Sequence, residues 1–234
     1  YYGTSSDTRL AASTEYPWTP PSRIYQPEEV ERPGFLPELP DIRLELAQYY
    51  SSVRRSDDTV GAVLDALGES GLEGETLVMF LSDNGMSFPF AKTNCYLHST
   101  RTPWIVRWPG VVEPGGLDTH HFISGIDFMP TVLEAAGIEP ISRIDGSSFL
   151  PLLAGQEQEG RDLVFTQFNH IHGRRPYPMR SVQNARFAYI FNRWSNGSRK
   201  YSAEPLSGLS YPSMRQAAET NEEIAERVRM LEYR

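Results

Sequence analysis

The chain contains 234 residues, 39% of them hydrophobic, which is enough to bury a sizeable core and argues against a disordered segment. Its formal net charge of -8 argues against a general nucleic-acid binder, because affinity for phosphate backbones depends mainly on lysine and arginine. The single cysteine, Cys95, excludes both an intrachain disulfide framework and a multi-cysteine zinc site, and we interpret it as a small packing residue.

The first part of the chain predicts a loop, then a helix, then a strand. Residues 1–40 contain many prolines and few periodic apolar positions, which predicts an extended loop. Apolar residues recur at three- and four-residue steps over 41–68, which predicts a long amphipathic helix. The stretch 76–81 is apolar on both alternating faces, which is typical of a central strand in a parallel sheet covered by helices.

Further strands and helices follow in alternation. A second strand is predicted at 104–108, where an apolar run is bounded by prolines. Asp127 is placed to cap a helix over 128–136, which Gly137 would end. The alternation of strands and helices predicts an α/β fold.

The character of the sequence changes after residue 155. Three shorter strands are predicted at 163–168, 179–183 and 186–191, and the last two are predicted to form a hairpin. The residues that follow, from 214 to 234, are predicted to be helical. We therefore divide the chain into 1–155, part of an α/β domain, and 156–234, a smaller subdomain.

Two oxygen-donor residues follow the predicted strand 76–81. In an open parallel sheet, ligands lie beyond the carboxyl ends of the strands, and Asp83 and Asn84 occupy such an end. A carboxylate and an amide carbonyl suit Ca²⁺ or Mg²⁺ better than a thiolate-seeking metal. Asp-Asn-Gly is also a common turn sequence, and two ligands do not complete a metal shell, so the motif alone does not decide between these readings.

Four segments in order resemble the C-terminal half of the sulfatase family, in the alkaline phosphatase superfamily. They are residues 49–64, 82–85, 101–110 and 126–133, and the resemblance covers roughly residues 41–155. Three shorter stretches are similar to the heparan N-sulfatase branch, also called N-sulfoglucosamine sulfohydrolases: 18–20, 88–94 and 177–183. The resemblance implies part of an alkaline-phosphatase-like sandwich with a mostly parallel sheet, plus a smaller C-terminal α+β subdomain with a short antiparallel sheet.

The same resemblance implies residue roles and a reaction. It makes Asp83 and Asn84 ligands of Ca²⁺, and Lys92 the catalytic cation that holds the sulfate. An ammonium beside a sulfuryl group stabilises charge developing on its oxygens, although a solvated loop lysine is the simpler reading of Lys92 taken alone. The implied activity is calcium-dependent removal of sulfate from a sulfated sugar, the N-sulfate of glucosamine in heparan-type glycans.

The sequence departs from the family where the nucleophile would be. Sulfatases attack with a formylglycine made from Cys or Ser in a Cys-x-Pro-Ser-Arg motif, and the 234 residues contain no such motif. The similar run 19–23 begins with threonine, and we interpret it as coincidence. We expect the nucleophile in a missing N-terminal half, so that this chain alone is inactive. The family implies export, and the sequence predicts no membrane-spanning helix.

Residues 170–200 form a locally basic segment of this acidic chain, with no Asp or Glu and several aromatic residues. Such a surface could bind a sulfated sugar through charge-assisted hydrogen bonds and ring contacts, or could simply be a solvated sheet face. Position and family resemblance together give four candidates for substrate binding: His98, His170, His172 and Arg180.

Two rival functions remain open at this point. One keeps the superfamily fold but acts on phosphate, as phosphodiesterases and phosphoglycerol transferases do. The other is a non-catalytic module that binds sulfated glycans through the 170–200 segment. The residues upstream of Tyr1 would separate the first rival from a sulfatase. Glycan binding that survives a chelator would favour the second.

Overall fold

The computed structural model describes residues 19–139, 142–171 and 175–233. The six helices of these ranges are α1 Pro40–Glu69, α2 Leu97–Thr100, α3 Phe128–Ala135, α4 Leu150–Leu153, α5 Ser210–Ala217 and α6 Glu222–Glu232. The five strands are β1 Val78–Leu81, β2 Trp104–Arg107, β3 Val164–Ile171, β4 Arg175–Gln183 and β5 Ala188–Asn192. The chain is therefore mixed α/β, as predicted. Within these ranges, no helix combines the length and the apolar character that crossing a bilayer requires.

The leading loop lies along α1. Residues 19–39 contain no regular element beyond a short 3-10 turn, which confirms the predicted extended loop for this part; residues 1–18 lie outside the described ranges. The backbone N–H of Tyr25 donates to the Ser51 hydroxyl on α1 (2.9 Å). Helix α1 matches its prediction within a residue at each end. After the helix ends, the chain changes direction at Gly71, whose φ of 72° lies in the left-handed region that favours glycine.

The strands β1 and β2 pair antiparallel, with Val78 opposite Arg107 and Leu81 opposite Trp104. The prediction of a mostly parallel sheet is therefore wrong for the described residues, in which both sheets are antiparallel. The physical reason is that the apolar character of a strand indicates that the strand is buried, but does not indicate whether its neighbour runs parallel or antiparallel. The strand is also only half-buried. A groove of about 460 Å³ runs beside it, lined by residues of β1, of α3 and of their neighbours, Met79 and Val132 among them.

Helix α3 forms as predicted, but Asp127 does not cap it. The Asp127 carboxylate accepts hydrogen bonds from the backbone N–H groups of Ser124 (2.9 Å) and Ser147 (2.8 Å), and from the Arg161 guanidinium (2.7 Å). Both Asp127 and Arg161 are buried, so charge-assisted bonds to this partner outweigh a capping bond to the helix. The pair joins the start of α3 to the loop before α4 and to residue 161.

The second region contains the three-stranded antiparallel sheet β3-β4-β5, which confirms the short antiparallel sheet expected there. The predicted hairpin is also confirmed, because β4 and β5 pair with Ser181 opposite Ile190, and the N–H of Asn184 donates to the Phe187 carbonyl (2.9 Å). Met179 lies on the sheet face that packs into a core. The opposite face is exposed, and its aromatic residues include Phe165, at 71% exposure.

Two hydrophobic cores lie on either side of the segment 86–95, which we call the 86–95 loop. The first core joins the leading loop, the buried half of α1, the start of the 86–95 loop, and helices α5 and α6: Val30, Leu36, Ile42, Leu46, Ala47, Phe88, Ala91, Met214, Ile224 and Val228. The second joins the end of that loop to the sheet: Cys95, Tyr177, Met179, Trp194, Tyr201 and Ala203. Helices α5 and α6 thus pack against α1, and the division at residue 155 stays a prediction.

Candidate functional site

The chain turns away from β1 at Asp83 and Asn84, the predicted metal ligands. The Asp83 side chain is exposed and that of Asn84 is half-buried. The local turn is held by the Ser82 hydroxyl, which donates to the Asn84 carbonyl oxygen (2.9 Å). Among the described residues, no side chain or backbone group forms a hydrogen bond with the Asp83 carboxylate or the Asn84 amide.

Gly85 fixes this turn against helix α2. Its backbone N–H donates to the Ser99 carbonyl (2.8 Å), and a Cβ atom added to Gly85 would lie 1.8 Å from the His98 carbonyl oxygen. Only glycine allows so close an approach of two backbones. His98 is thereby brought beside the Asp83–Asn84 turn, with an exposed side chain whose ring stacks on Phe35 at 4.2 Å between centroids.

Replacement of Gly85 by alanine is expected to destabilise the full-length protein by about 2 kcal/mol, because one of the two backbones must move. The measurement is the free energy of unfolding in urea. The matched control is Gly61→Ala on α1, where an added Cβ meets nothing within 4 Å and should instead add about 0.5–1 kcal/mol. Equal effects of the two substitutions would contradict the close packing of Gly85.

The 86–95 loop holds Lys92 through its own backbone geometry. Two residues that flank Lys92 have positive φ angles, Phe90 at 66° and Thr93 at 68°. For a β-branched residue such as threonine this conformation is uncommon, and it persists only where the surroundings enforce it. Enforcement comes from Asn94, whose amide donates to the Ala91 carbonyl (2.5 Å) and whose side-chain oxygen accepts the N–H of Tyr96 (2.7 Å).

The Lys92 ammonium forms an ion pair with a residue that sequence reasoning missed. Lys92 Nζ lies 2.9 Å from Glu204 Oε1, and both side chains are 24% exposed. The Tyr201 hydroxyl donates to the Thr93 carbonyl oxygen (2.8 Å), so a second contact joins the loop to the same segment. No sequence signal could have indicated these contacts, because they join positions more than a hundred residues apart.

The donor set fits part of a site for a hard cation. Asp83 and Asn84 supply oxygen atoms, which calcium and magnesium prefer. In the part of the chain that the structure describes, no three His, Cys, Asp or Glu side chains come together as a metal cluster. Two oxygen donors are fewer than the six to eight that calcium takes, so a calcium site here would need further ligands from other parts of the protein, from water or from substrate.

The remaining predicted site residues lie on the sheet of the second region. His170 on β3 and Arg180 on β4 are exposed, and the Arg180 guanidinium donates to the Met179 carbonyl (2.7 Å). Arg180 lies close enough to Cys95, at the end of the 86–95 loop, to affect the pKa of its thiol. The structure packs the backbone of His98 beside the Asp83–Asn84 turn, and the roles of His170 and Arg180 stay predictions. His172 lies outside the described residues.

Cys95 is buried at the end of the 86–95 loop, at 2% exposure. Burial raises the pKa of its thiol, which disfavours the thiolate form needed for nucleophilic attack. Its neighbours in the second core are apolar or aromatic, Tyr177 and Met179 among them. The interpretation of Cys95 as a packing residue is confirmed.

With this geometry in place, comparison with known proteins decides the family. The family model described as Sulfatase matches residues 8–138, which include the Asp83–Asn84 turn and the 86–95 loop. The chain belongs to the sulfatase family. A second family model, described as N-sulphoglucosamine sulphohydrolase, C-terminal, matches residues 86–196 of this sulfatase chain. The predicted family resemblance is therefore confirmed.

Individual relatives agree with the family models. Human N-sulphoglucosamine sulphohydrolase is 35% identical over 184 residues, which cover 75% of this sulfatase chain and 36% of the human protein. A solved structure of a 2-O GAG sulfatase aligns with a TM-score of 0.58 and 21% identity, over 79% of this chain and 41% of that one. A phosphonate monoester hydrolase of Agrobacterium radiobacter aligns with a TM-score of 0.55 and 26% identity, over 64% of this chain and 33% of that one. The sulfatase chain thus has the fold of part of these enzymes and spans about a third of the human relative.

Proposed function

We propose that the protein containing this chain hydrolyses the sulfate of a sulfated sugar, and that its substrate class is N-sulfated glucosamine of heparan-type glycans. Family membership supports sulfate hydrolysis in general. The substrate proposal is supported by the match of residues 86–196 to the C-terminal model of N-sulphoglucosamine sulphohydrolase and by the similar human protein. The single observation that carries the proposal is that the 86–95 loop holds the Lys92 ammonium a few residues after two oxygen donors, Asp83 and Asn84.

Each of these residues has a chemical task in the proposed reaction. Asp83 and Asn84 would hold a calcium ion together with ligands from elsewhere. A bound calcium ion would neutralise charge on the sulfate oxygens. Lys92 would donate hydrogen bonds from its ammonium to oxygens of the sulfuryl group as it is transferred. Glu204 Oε1 accepts from the same ammonium (2.9 Å), so a bound sulfate would share Lys92 with this carboxylate.

The residues that attack the sulfate and protonate the leaving group are proposed to lie outside these 234 residues. The family resemblance implies a formylglycine as the nucleophile, and no Cys-x-Pro-Ser-Arg motif occurs in this chain. We therefore propose that the chain alone is inactive. Export of the whole protein remains a prediction from the family.

The residues proposed to contact the substrate differ in the observations that support them. His98 lies beside the metal-ligand turn, where its exposed side chain could contact a bound sugar. His170 and Arg180 stay candidates from sequence position and resemblance alone. An Arg180 contact would require a substrate that extends over the exposed face of the β3-β4-β5 sheet, where Tyr189 and Phe191 are 67% and 53% exposed.

A phosphorus-directed activity is the second candidate, because the Agrobacterium phosphonate monoester hydrolase has the same fold at 26% identity. The test is a comparison of four substrates with the full-length protein: N-sulfated glucosamine, an O-sulfated glucosamine, a phosphate diester and a phosphonate monoester. We expect release from N-sulfated glucosamine to have the highest kcat/KM, and to be lost after treatment with a calcium chelator and restored by calcium.

Other outcomes of this comparison would contradict parts of the proposal. Release from O-sulfates alone would refute the substrate class, and preference for a phosphorus ester would refute the sulfatase activity. Binding of a sulfated glycan without hydrolysis, unchanged by chelator, would instead support the non-catalytic module.

A further inference from the structure

Glu204 is the feature of the candidate site that the proposed reaction does not yet use. One of its carboxylate oxygens, Oε1, accepts both from Lys92 Nζ (2.9 Å) and from the Ser87 hydroxyl (3.3 Å). Glu204 therefore contacts the 86–95 loop at two points, on either side of the left-handed residue Phe90. Its carboxylate lies against the proposed sulfate-binding ammonium.

The carboxylate is held at a fixed position by the segment that carries it. Glu204 begins the 3-10 turn Glu204–Leu206, in which Pro205 is buried and limits the backbone. The Ser207 hydroxyl donates to the Glu204 carbonyl oxygen (2.7 Å). Tyr201, three residues before, is 1% exposed and donates to the Thr93 carbonyl. Glu204 is thus presented to Lys92 from a segment that is bonded both to the 86–95 loop and within its own turn.

The charge of Glu204 has two consequences for an anion that binds Lys92. The ion pair with Glu204 orients the ammonium toward a defined position, which a bound anion would share with the carboxylate. The negative carboxylate also offsets part of the positive field of Lys92, so that a dianion such as sulfate is held less tightly than by an isolated lysine. Tight binding of substrate or product in the ground state would not accelerate the reaction, whereas an oriented donor would.

We propose that Glu204 is a positioning residue that orients Lys92 for catalysis and limits its affinity for the product sulfate. The inference rests on the proposed role of Lys92. It extends that role to the second region of the chain, which supplies the carboxylate. A residue that acted only through the stability of the fold would leave the inhibition constant of sulfate unchanged.

The test is Glu204→Gln in the full-length protein, because glutamine keeps the shape and a hydrogen-bond acceptor but removes the charge. With N-sulfoglucosamine as substrate, kcat is expected to fall about tenfold, since the ion pair that orients Lys92 is weakened. The inhibition constant of inorganic sulfate is expected to fall about fivefold, since the anion no longer faces a carboxylate. An inhibition constant that is unchanged or higher would overturn the inference, whatever the value of kcat.

A second variant keeps the inference testable if the first does not fold. Glu204→Asp retains the charge but shortens the side chain, so kcat should fall while the inhibition constant of sulfate stays within about twofold of the original. Unchanged kcat in this variant would also overturn the inference. Glu222→Gln is the matched control, because Glu222 forms an exposed ion pair with Arg229 (3.2 Å), and it should change neither constant.

Failure of this inference can be distinguished from failure of the proposed function. If the original protein releases sulfate and the Lys92→Ala variant does not, the proposed function stands, and an unaltered Glu204→Gln variant refutes only the role of Glu204. If the original protein releases no sulfate from any sulfated glucosamine, the proposed function fails first.

Discussion

Lys92→Ala is expected to lower kcat for sulfate release by the full-length protein about 100- to 1000-fold. Loss of one preorganised donor to a developing oxyanion typically has an effect of this size. The Lys92 side chain lies outside both hydrophobic cores and pairs with Glu204, which lies in the second region of the chain. Removal of the Lys92 side chain should therefore leave most of the fold intact. The measurement is steady-state kinetics with N-sulfated glucosamine, accompanied by circular dichroism to verify folding.

The control for this substitution is Lys200→Ala. Lys200 is also paired with a glutamate, Glu232, at 3.0 Å, and its side chain is 45% exposed. Loss of that pair should leave kcat within about twofold, because a partly exposed ion pair contributes little. A Lys92→Ala variant with the kcat of the control would exclude Lys92 from the reaction.

Asp83→Ala is expected to remove most of the stabilisation of the full-length protein by calcium. A ligand that binds only the folded state stabilises it by about 2.7 kcal/mol at a concentration a hundredfold above its dissociation constant. Asp83 is proposed to provide a charged ligand, so its loss should remove most of this effect and the activity that depends on it. The measurement is Tm with calcium and with a chelator, which reads binding independently of turnover.

The matched control for the metal is Asp65→Ala, which removes an exposed carboxylate from helix α1. That variant should keep the full rise in Tm on addition of calcium. If Asp83→Ala kept the same rise, calcium would not be bound at the Asp83–Asn84 turn, and the metal part of the proposal would be refuted.

The sequence was a good guide to individual elements. Helix α1 could be predicted because its apolar residues follow a helical period and because Gly71 follows its end. The β4-β5 hairpin could be predicted because two short apolar runs are separated by a polar turn at Asn184. These patterns depend only on residues close together in the sequence, so they can be interpreted without knowledge of the rest of the fold.

The errors came from contacts between distant residues. The direction of β2 beside β1 is set by the chain between them and not by the composition of either strand. Asp127 was expected to cap α3, but the structure pairs it with Arg161, which lies 34 positions away. The Lys92–Glu204 pair spans a still longer stretch, and neither residue has a local pattern that indicates the other.

The position of the 86–95 loop between the two cores has a consequence for how this site could diversify. Phe88 and Ala91 anchor the loop in one core, and Cys95 anchors it in the other. A change in how the β3-β4-β5 sheet packs would therefore shift the ammonium relative to the Asp83–Asn84 turn without altering either residue. Selectivity among anions could then drift through substitutions buried under the sheet, at positions that never touch a substrate.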